Sequence, residues 1–198
     1  MPGEAMGKLG HETDRPDTMV VGLGNPILGD DGVGWRVIAE VERRLLAAGT
    51  GPGAAPSDGS GPGVATACLS LGGLSLMEHL IGYRRAIIVD AVRGAGSPGT
   101  IDVLPLEAFA EARSGHVASA HDATLSAALE LGRGLGAVLP ETVWVVGVKV
   151  ERLDEFSEAL SPAVAGAVPA AAQRVLELLS DREGLAPATQ LADPCRGL

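Results

Sequence analysis

The feature that most constrains this chain is a repeated change of hydrophobic period. Short, continuously apolar runs alternate with longer segments whose apolar residues recur every three or four positions. Met19, Val20 and Val21 form the first run, which ends in Gly22, Leu23 and Gly24 and is too short for a helix. Val33, Val37, Val41 and Leu45 then recur every four residues, with Arg36, Glu40, Arg43 and Arg44 between them, as in an amphipathic helix. Asp30 or Asp31 is its expected N-cap. Val64 to Leu69 reads as a second strand, Leu74 to Leu80 as a short helix, and Ala86 to Val89 as a third strand followed immediately by Asp90. That third run is apolar throughout, as expected of a strand covered by helices on both faces.

Gly99 to Leu104 alternates Ile101 and Val103 with Thr100 and Asp102, so one face of this strand is wetter and it belongs at a sheet edge. A helix is expected to open near His121 and to run through Leu125 and Leu129, before a last strong strand from Val143 to Val148. The final helix carries Val164, Val168, Ala171, Val175 and Leu178, with Ser161 and Pro162 as its start signal. Pro169 should kink that helix or mark its true beginning. Strands alternating with helices predict a single three-layer α/β/α domain built on a mostly parallel, twisted sheet of about five strands.

Composition supports one domain: 198 residues, 46% hydrophobic and 20% charged, suffice for one sizeable core. Its expected limits are residues 18–180, with a flexible N-terminal tail over 1–17, a glycine-rich flexible loop over 49–63 and a C-terminal tail over 181–198. The first residues are polar and carry no apolar core, so they read as neither a signal peptide nor a membrane anchor, and no membrane insertion is expected. A formal net charge of -10, without a basic run, opposes nucleic acid as a partner. Arg43 with Arg44 and Arg84 with Arg85 read as solvated pairs. Two cysteines, Cys68 in a strand and Cys195 in the tail, form neither a disulfide framework nor a metal pair, which fits a reducing, cytoplasmic setting. Cys68 reads as a small buried hydrophobe.

In an α/β sheet of this kind ligands gather beyond the carboxyl ends of the strands, where helix N-termini converge. Three residues are expected there. Asp31, with Asp30 beside it, lies in GLGNPILGDDGVG, residues 22–34, where the glycines permit a tight turn close to a ligand. A dinucleotide fingerprint would need glycine at Ile27, so no such organic cofactor is implied. Asp90 emerges from the third strand, and His121 opens a later helix. Two carboxylates and one imidazole would suit a borderline divalent metal such as nickel or zinc, with positions left open for substrate. The segment GAGSPG, residues 94–99, matches GxGxxG literally but leads into a strand and reads as a turn. His116 is a second-choice ligand, whereas His11 and His79 have no comparable setting.

Taken together, these segments resemble the hydrogenase maturation peptidases, over about residues 18 to 180. The resemblance is an ordered set: GLGNPILGDDGVG, VDAVRGAGSPGTI, HDATL, VVGVKVE and LSPAVAGAVP. It implies a phosphorylase/hydrolase-like α/β fold and an aspartic-type, metal-assisted endopeptidase. The expected substrate is a nickel-iron hydrogenase large-subunit precursor, which brings its own nickel and loses a C-terminal extension. The family's metal-reading positions fall on Asp31, where glutamate is common, Asp90 and His121. Lys149 and Val150 stand where many members carry Gln and Pro. A peptidyl-tRNA hydrolase also begins with a strand and GLGNP, but this chain continues with ILGDD and lacks a basic face. A protein that binds the precursor without cutting it is a further alternative, separable by a cleavage assay.

Overall fold

The computed structural model describes residues 16–49, 63–113, 120–153 and 156–181, and within them all side chains except those of 111–113 and 120–124. The expected tails and glycine-rich loop, and His116, lie outside the described residues apart from a few flanking positions. Among the described residues five strands form one sheet: β1 (Thr18–Leu23), β2 (Val64–Leu69), β3 (Arg85–Val92), β4 (Ile101–Pro105) and β5 (Thr142–Lys149). Their order is β2-β1-β3-β5-β4. The first four of these are parallel, and β4 closes the edge antiparallel to β5. Each parallel crossover needs a helix, which the 3.6-period segments supply.

Five helices connect or flank the strands: α1 (Val33–Ala47), α2 (Gly73–His79), α3 (Leu106–Arg113), α4 (Ala120–Gly134) and α5 (Pro162–Ser180). Alternation along the strands divides the apolar residues between two cores. Met19, Val21, Ile88 and Val145 face α2, α3 and α4 through Leu76, Phe109, Leu125 and Leu129. Val20, Ile87, Val89, Val146 and Val148 face α1 and α5 through Val37, Val41, Val164 and Val175. The sheet is thus the middle of three layers. No described helix is long and apolar enough to cross a membrane.

α1 and α5 are joined outside the core by Arg44, which donates to Gln173 Oε1 at 3.2 Å and to the Pro169 carbonyl at 3.0 Å. Glu40 accepts from both Arg43 and Arg44, and these bonds pull its carboxyl down from 4.5 to about 2. The cluster's contribution is therefore full above the ordinary carboxylate range and fades as pH falls towards 2. Because the group is exposed, that contribution is small.

Several local expectations are corrected. β3 does not stop at Val89: it runs on through Asp90, Ala91 and Val92, because β5 continues to pair with it after β1 has ended. Neither Asp30 nor Asp31 caps α1; a 3-10 turn over Gly29–Gly32 holds both, and Gly32 is the N-cap without a side-chain bond. Cys68 is exposed rather than buried, because β2 is an edge strand, and partial desolvation with the nearby Glu42 charge raises its thiol pKa. α5 begins at Pro162, and Pro169 lies inside a continuous helix that loses one backbone donor there. α3 is absent from the expected elements, since its eight residues are too short a window to establish a helical period. GAGSPG forms the turn between β3 and β4, as expected.

The start of α1 packs on the sheet without side chains between them. A Cβ at Gly34 would lie 2.3 Å from the Leu23 carbonyl oxygen and 2.6 Å from that of Val89, and one at Gly22 would lie 2.5 Å from the Gly34 carbonyl oxygen. Gly34→Ala is expected to destabilise the fold by about 3 kcal/mol or more, at the upper end of overpacking costs. Gly166→Ala, in α5 with nothing within 4 Å, should instead stabilise it by about 0.5–1 kcal/mol. Urea unfolding of the two variants measures both; equal effects would contradict the packing described.

Candidate active site

Strand β1 leads through α1 to β2 on one side, whereas its other neighbour β3 leads away in the opposite direction. The crevice between β1 and β3 is therefore the topological switch point, where α/β sheets bind ligands. The last β1–β3 pair is Gly22 with Val89. Asp90 is the next residue of β3, paired with Gly147 of β5 and one position beyond the last pairing with β1. Its side chain is 4% exposed, and Oδ1 accepts the Ala91 N–H at 2.9 Å. By the alternation of β3 it lies between Ile88 and Val92, on the α2 and α4 face.

Asp31 reaches the crevice from above. Gly24 turns at a φ of 119°, and a Cβ there would lie 1.8 Å from the Asp31 carbonyl oxygen, so glycine alone allows the 3-10 turn to fold down over the end of β1. Asp31 Oδ2 accepts the Asn25 N–H at 2.6 Å, and no described donor reaches Oδ1. Asp31 and Asp90 line one cavity of about 180 Å³ together with Leu23, Asn25, Ser70 and Leu71. Ser70 Oγ donates to the Gly24 carbonyl at 2.7 Å and fixes the far wall.

The neighbouring acid does something else. Asp30 Oδ1 accepts the Ser161 N–H at 2.6 Å, so it secures the start of α5 across 131 positions of sequence. Ser161 is the N-cap of α5 by position but makes no side-chain capping bond. Asp30 borders a separate cavity of about 250 Å³ with Arg152 and Ser161.

His121 lies in the first turn of α4, and its side chain is outside the described residues. Its position along the fold follows from connectivity. β4 runs antiparallel to β5, α3 climbs back, and α4 descends to the amino end, where the Gly82 N–H bonds the Val138 carbonyl at 2.8 Å just before β3 and β5 begin. A helix of 15 residues spans about 22 Å, close to the height of the sheet, so the first turn of α4 stands at the carboxyl end. It does so on the Asp90 face, since α4 packs in that core. Among the described residues no three His, Cys, Asp or Glu side chains converge to hold a metal ion; Asp31 and Asp90 are two acids that line one cavity.

Lys149, at the end of β5, forms an ion pair with Asp102 at 2.7 Å beneath the glycines of the 94–99 turn. Sequence reasoning missed Ser70 and Leu71 as cavity walls, and nothing in their local pattern marks them. Asn25 could have been found from its place in GLGNP.

A family model described as hydrogenase maturation protease matches residues 71–178. The chain belongs to the hydrogenase maturation protease family. It is accordingly a hydrolase of the endopeptidase kind, with the five-stranded α/β fold of that family. The chain is 26% identical over 161 residues to the hydrogenase expression/formation protein HoxM of Cupriavidus necator, covering 81% of this chain and 73% of the relative. The hydrogenase maturating endopeptidase HybD from E. coli superposes with a TM-score of 0.64 at 25% identity, over 82% of this chain and 91% of that one. The NiFe hydrogenase maturation protease HybD from Thermococcus kodakarensis shares the fold, with a TM-score of 0.58 at 21% identity over 81% and 97% of the two chains.

Within this protease the two adjacent acids should be separable. Asp30→Ala is expected to cost about 1–2 kcal/mol, the loss of a charged helix-start acceptor, and Asp31→Ala less, because losing its bond from the Asn25 N–H also removes a carboxylate from beside Asp90. Comparison of their urea midpoints checks this, and a larger loss for Asp31→Ala would contradict it.

Proposed function

We propose that the chain is a nickel-dependent endopeptidase that removes the C-terminal extension of a nickel-iron hydrogenase large-subunit precursor. Asp31, Asp90 and His121 are the groups that meet the nickel, which arrives as part of the substrate. The observation that carries this reading is a small cavity lined by both Asp31 and Asp90 at the switch crevice. The position of the first turn of α4 at the same end and on the same face supports His121 as the third group.

Two carboxylate oxygens and an imidazole nitrogen match the preferences of a borderline divalent ion, and three such ligands leave positions for the precursor's own groups. Two carboxylates lining one small cavity repel one another, and an incoming dication removes that repulsion. Binding at the cavity is thereby tied to the loaded state of the precursor, so a nickel-free precursor has less to gain. Once seated, the ion acts as a Lewis acid on the peptide carbonyl beside it, and water completes the hydrolysis. Asp31 is held at Oδ2 by the Asn25 N–H and Asp90 at Oδ1 by the Ala91 N–H, which fixes both carboxylates at the cavity wall.

In a cleavage assay the chain should process nickel-loaded precursor and leave nickel-free precursor intact. His121→Ala should keep its circular dichroism and lose cleavage. Equal cutting of both precursor forms, or undiminished cutting by His121→Ala, would refute the nickel-reading role.

A further inference from the structure

The cavity is small, so most of a polypeptide substrate must be held outside it. β2 lies at one end of the sheet, with β1 on one side and, among the described residues, no strand on the other. Its outward groups can be assigned by parity. The carbonyls of Gly63 and Leu69 accept hydrogen bonds from Thr18 and Gly24, on the β1 side. Since the N–H and C=O of one strand residue point the same way and successive residues alternate, Ala65, Ala67 and Leu69 bond β1. Val64, Thr66 and Cys68 present their backbone groups to the open edge.

Exposed edges are normally guarded by charge, proline or a bulge. The opposite edge is: β4 carries Asp102 and Pro105 in five residues. β2, with the sequence VATACL, has none of these guards. It also ends at the site, because Ser70 and Leu71, the next two residues, line the cavity with Asp31 and Asp90.

We propose that the substrate polypeptide docks along this edge as an added strand, paired with Val64, Thr66 and Cys68, and continues over Ser70 and Leu71 so that the scissile bond reaches the two carboxylates. This rests on the reading above that the chain cleaves a hydrogenase precursor. Strand addition uses main-chain hydrogen bonds, so it holds an extended segment with little demand on its side chains. From Cys68 to Leu71 is three residues, roughly 10 Å of extended chain, which brings one continuous segment from the edge to the cavity.

Thr66→Pro and Cys68→Pro each remove one outward donor while sparing the bonds to β1, a position where proline is tolerated in edge strands. Each should raise KM for nickel-loaded precursor about tenfold, as expected for a lost backbone hydrogen bond with its unpaired partner, with kcat kept within about twofold. Wild-type KM in both proline variants would overturn the proposal. A second measurement needs no substitution: in a short deuterium pulse at saturating precursor, the Thr66 and Cys68 amides should exchange at least about tenfold more slowly than in the free protein. Unchanged exchange during active cleavage sinks the docking alone. Absence of any cleavage by the unaltered chain sinks the functional reading and the docking with it.

Discussion

The first turn of α1 rests directly on the backbone of β1 and β3 at Gly34, where a methyl group would meet the carbonyls of Leu23 and Val89 at 2.3 and 2.6 Å. Everything at the candidate site depends on that contact. It brings the preceding 3-10 turn down over the end of β1, and Gly24 completes the approach by leaving room for the Asp31 backbone. Asp31 thereby enters the same cavity as Asp90, although the two are far apart in sequence and belong to different elements. Interior packing tolerates no intermediate arrangement here, because the contacts are backbone to backbone and neither side can yield by a rotamer change.

Two adjacent acids on one short turn serve different parts of the molecule. Successive residues of a tight turn point in different directions, so Asp30 is carried towards α5, where it takes the Ser161 N–H, while Asp31 is carried into the crevice. The first links the α1 side of the domain to its last helix. The second supplies charge at the switch point. The same turn therefore couples the seating of α5 to the position of Asp31, and this explains why two acids stand side by side where a simple helix cap would need one.

The alternating period made the fold class, the mostly parallel sheet and the edge position of β4 legible, because burial on two faces or one leaves different patterns in the chain. The site was legible in part. Asp31 and Asp90 were expected at the carboxyl end, and they do line one cavity; the side chain of His121 lies outside the described residues. What the pattern could not give was partnership across the fold. The bond from Asp30 to α5, the exposure of Cys68 on an edge and the extension of β3 past Asp90 all depend on which strand lies beside which, and local sequence carries no record of that. The capping expectation for α1 failed because Asp30 accepts the Ser161 N–H and Asp31 the Asn25 N–H, and neither carboxylate bonds an amide of the first turn of α1.

The central claim, that Asp31, Asp90 and His121 face one divalent ion, is tested most directly by titrating the protein with nickel and following side-chain resonances. Paramagnetic broadening should appear together at the carboxyl carbons of residues 31 and 90 and at the imidazole of residue 121, while the exposed ring of His79, bonded to the Ser75 carbonyl within α2, stays sharp. Broadening of the two carboxylates with an unaffected His121 ring, or at unrelated acids alone, would contradict the account.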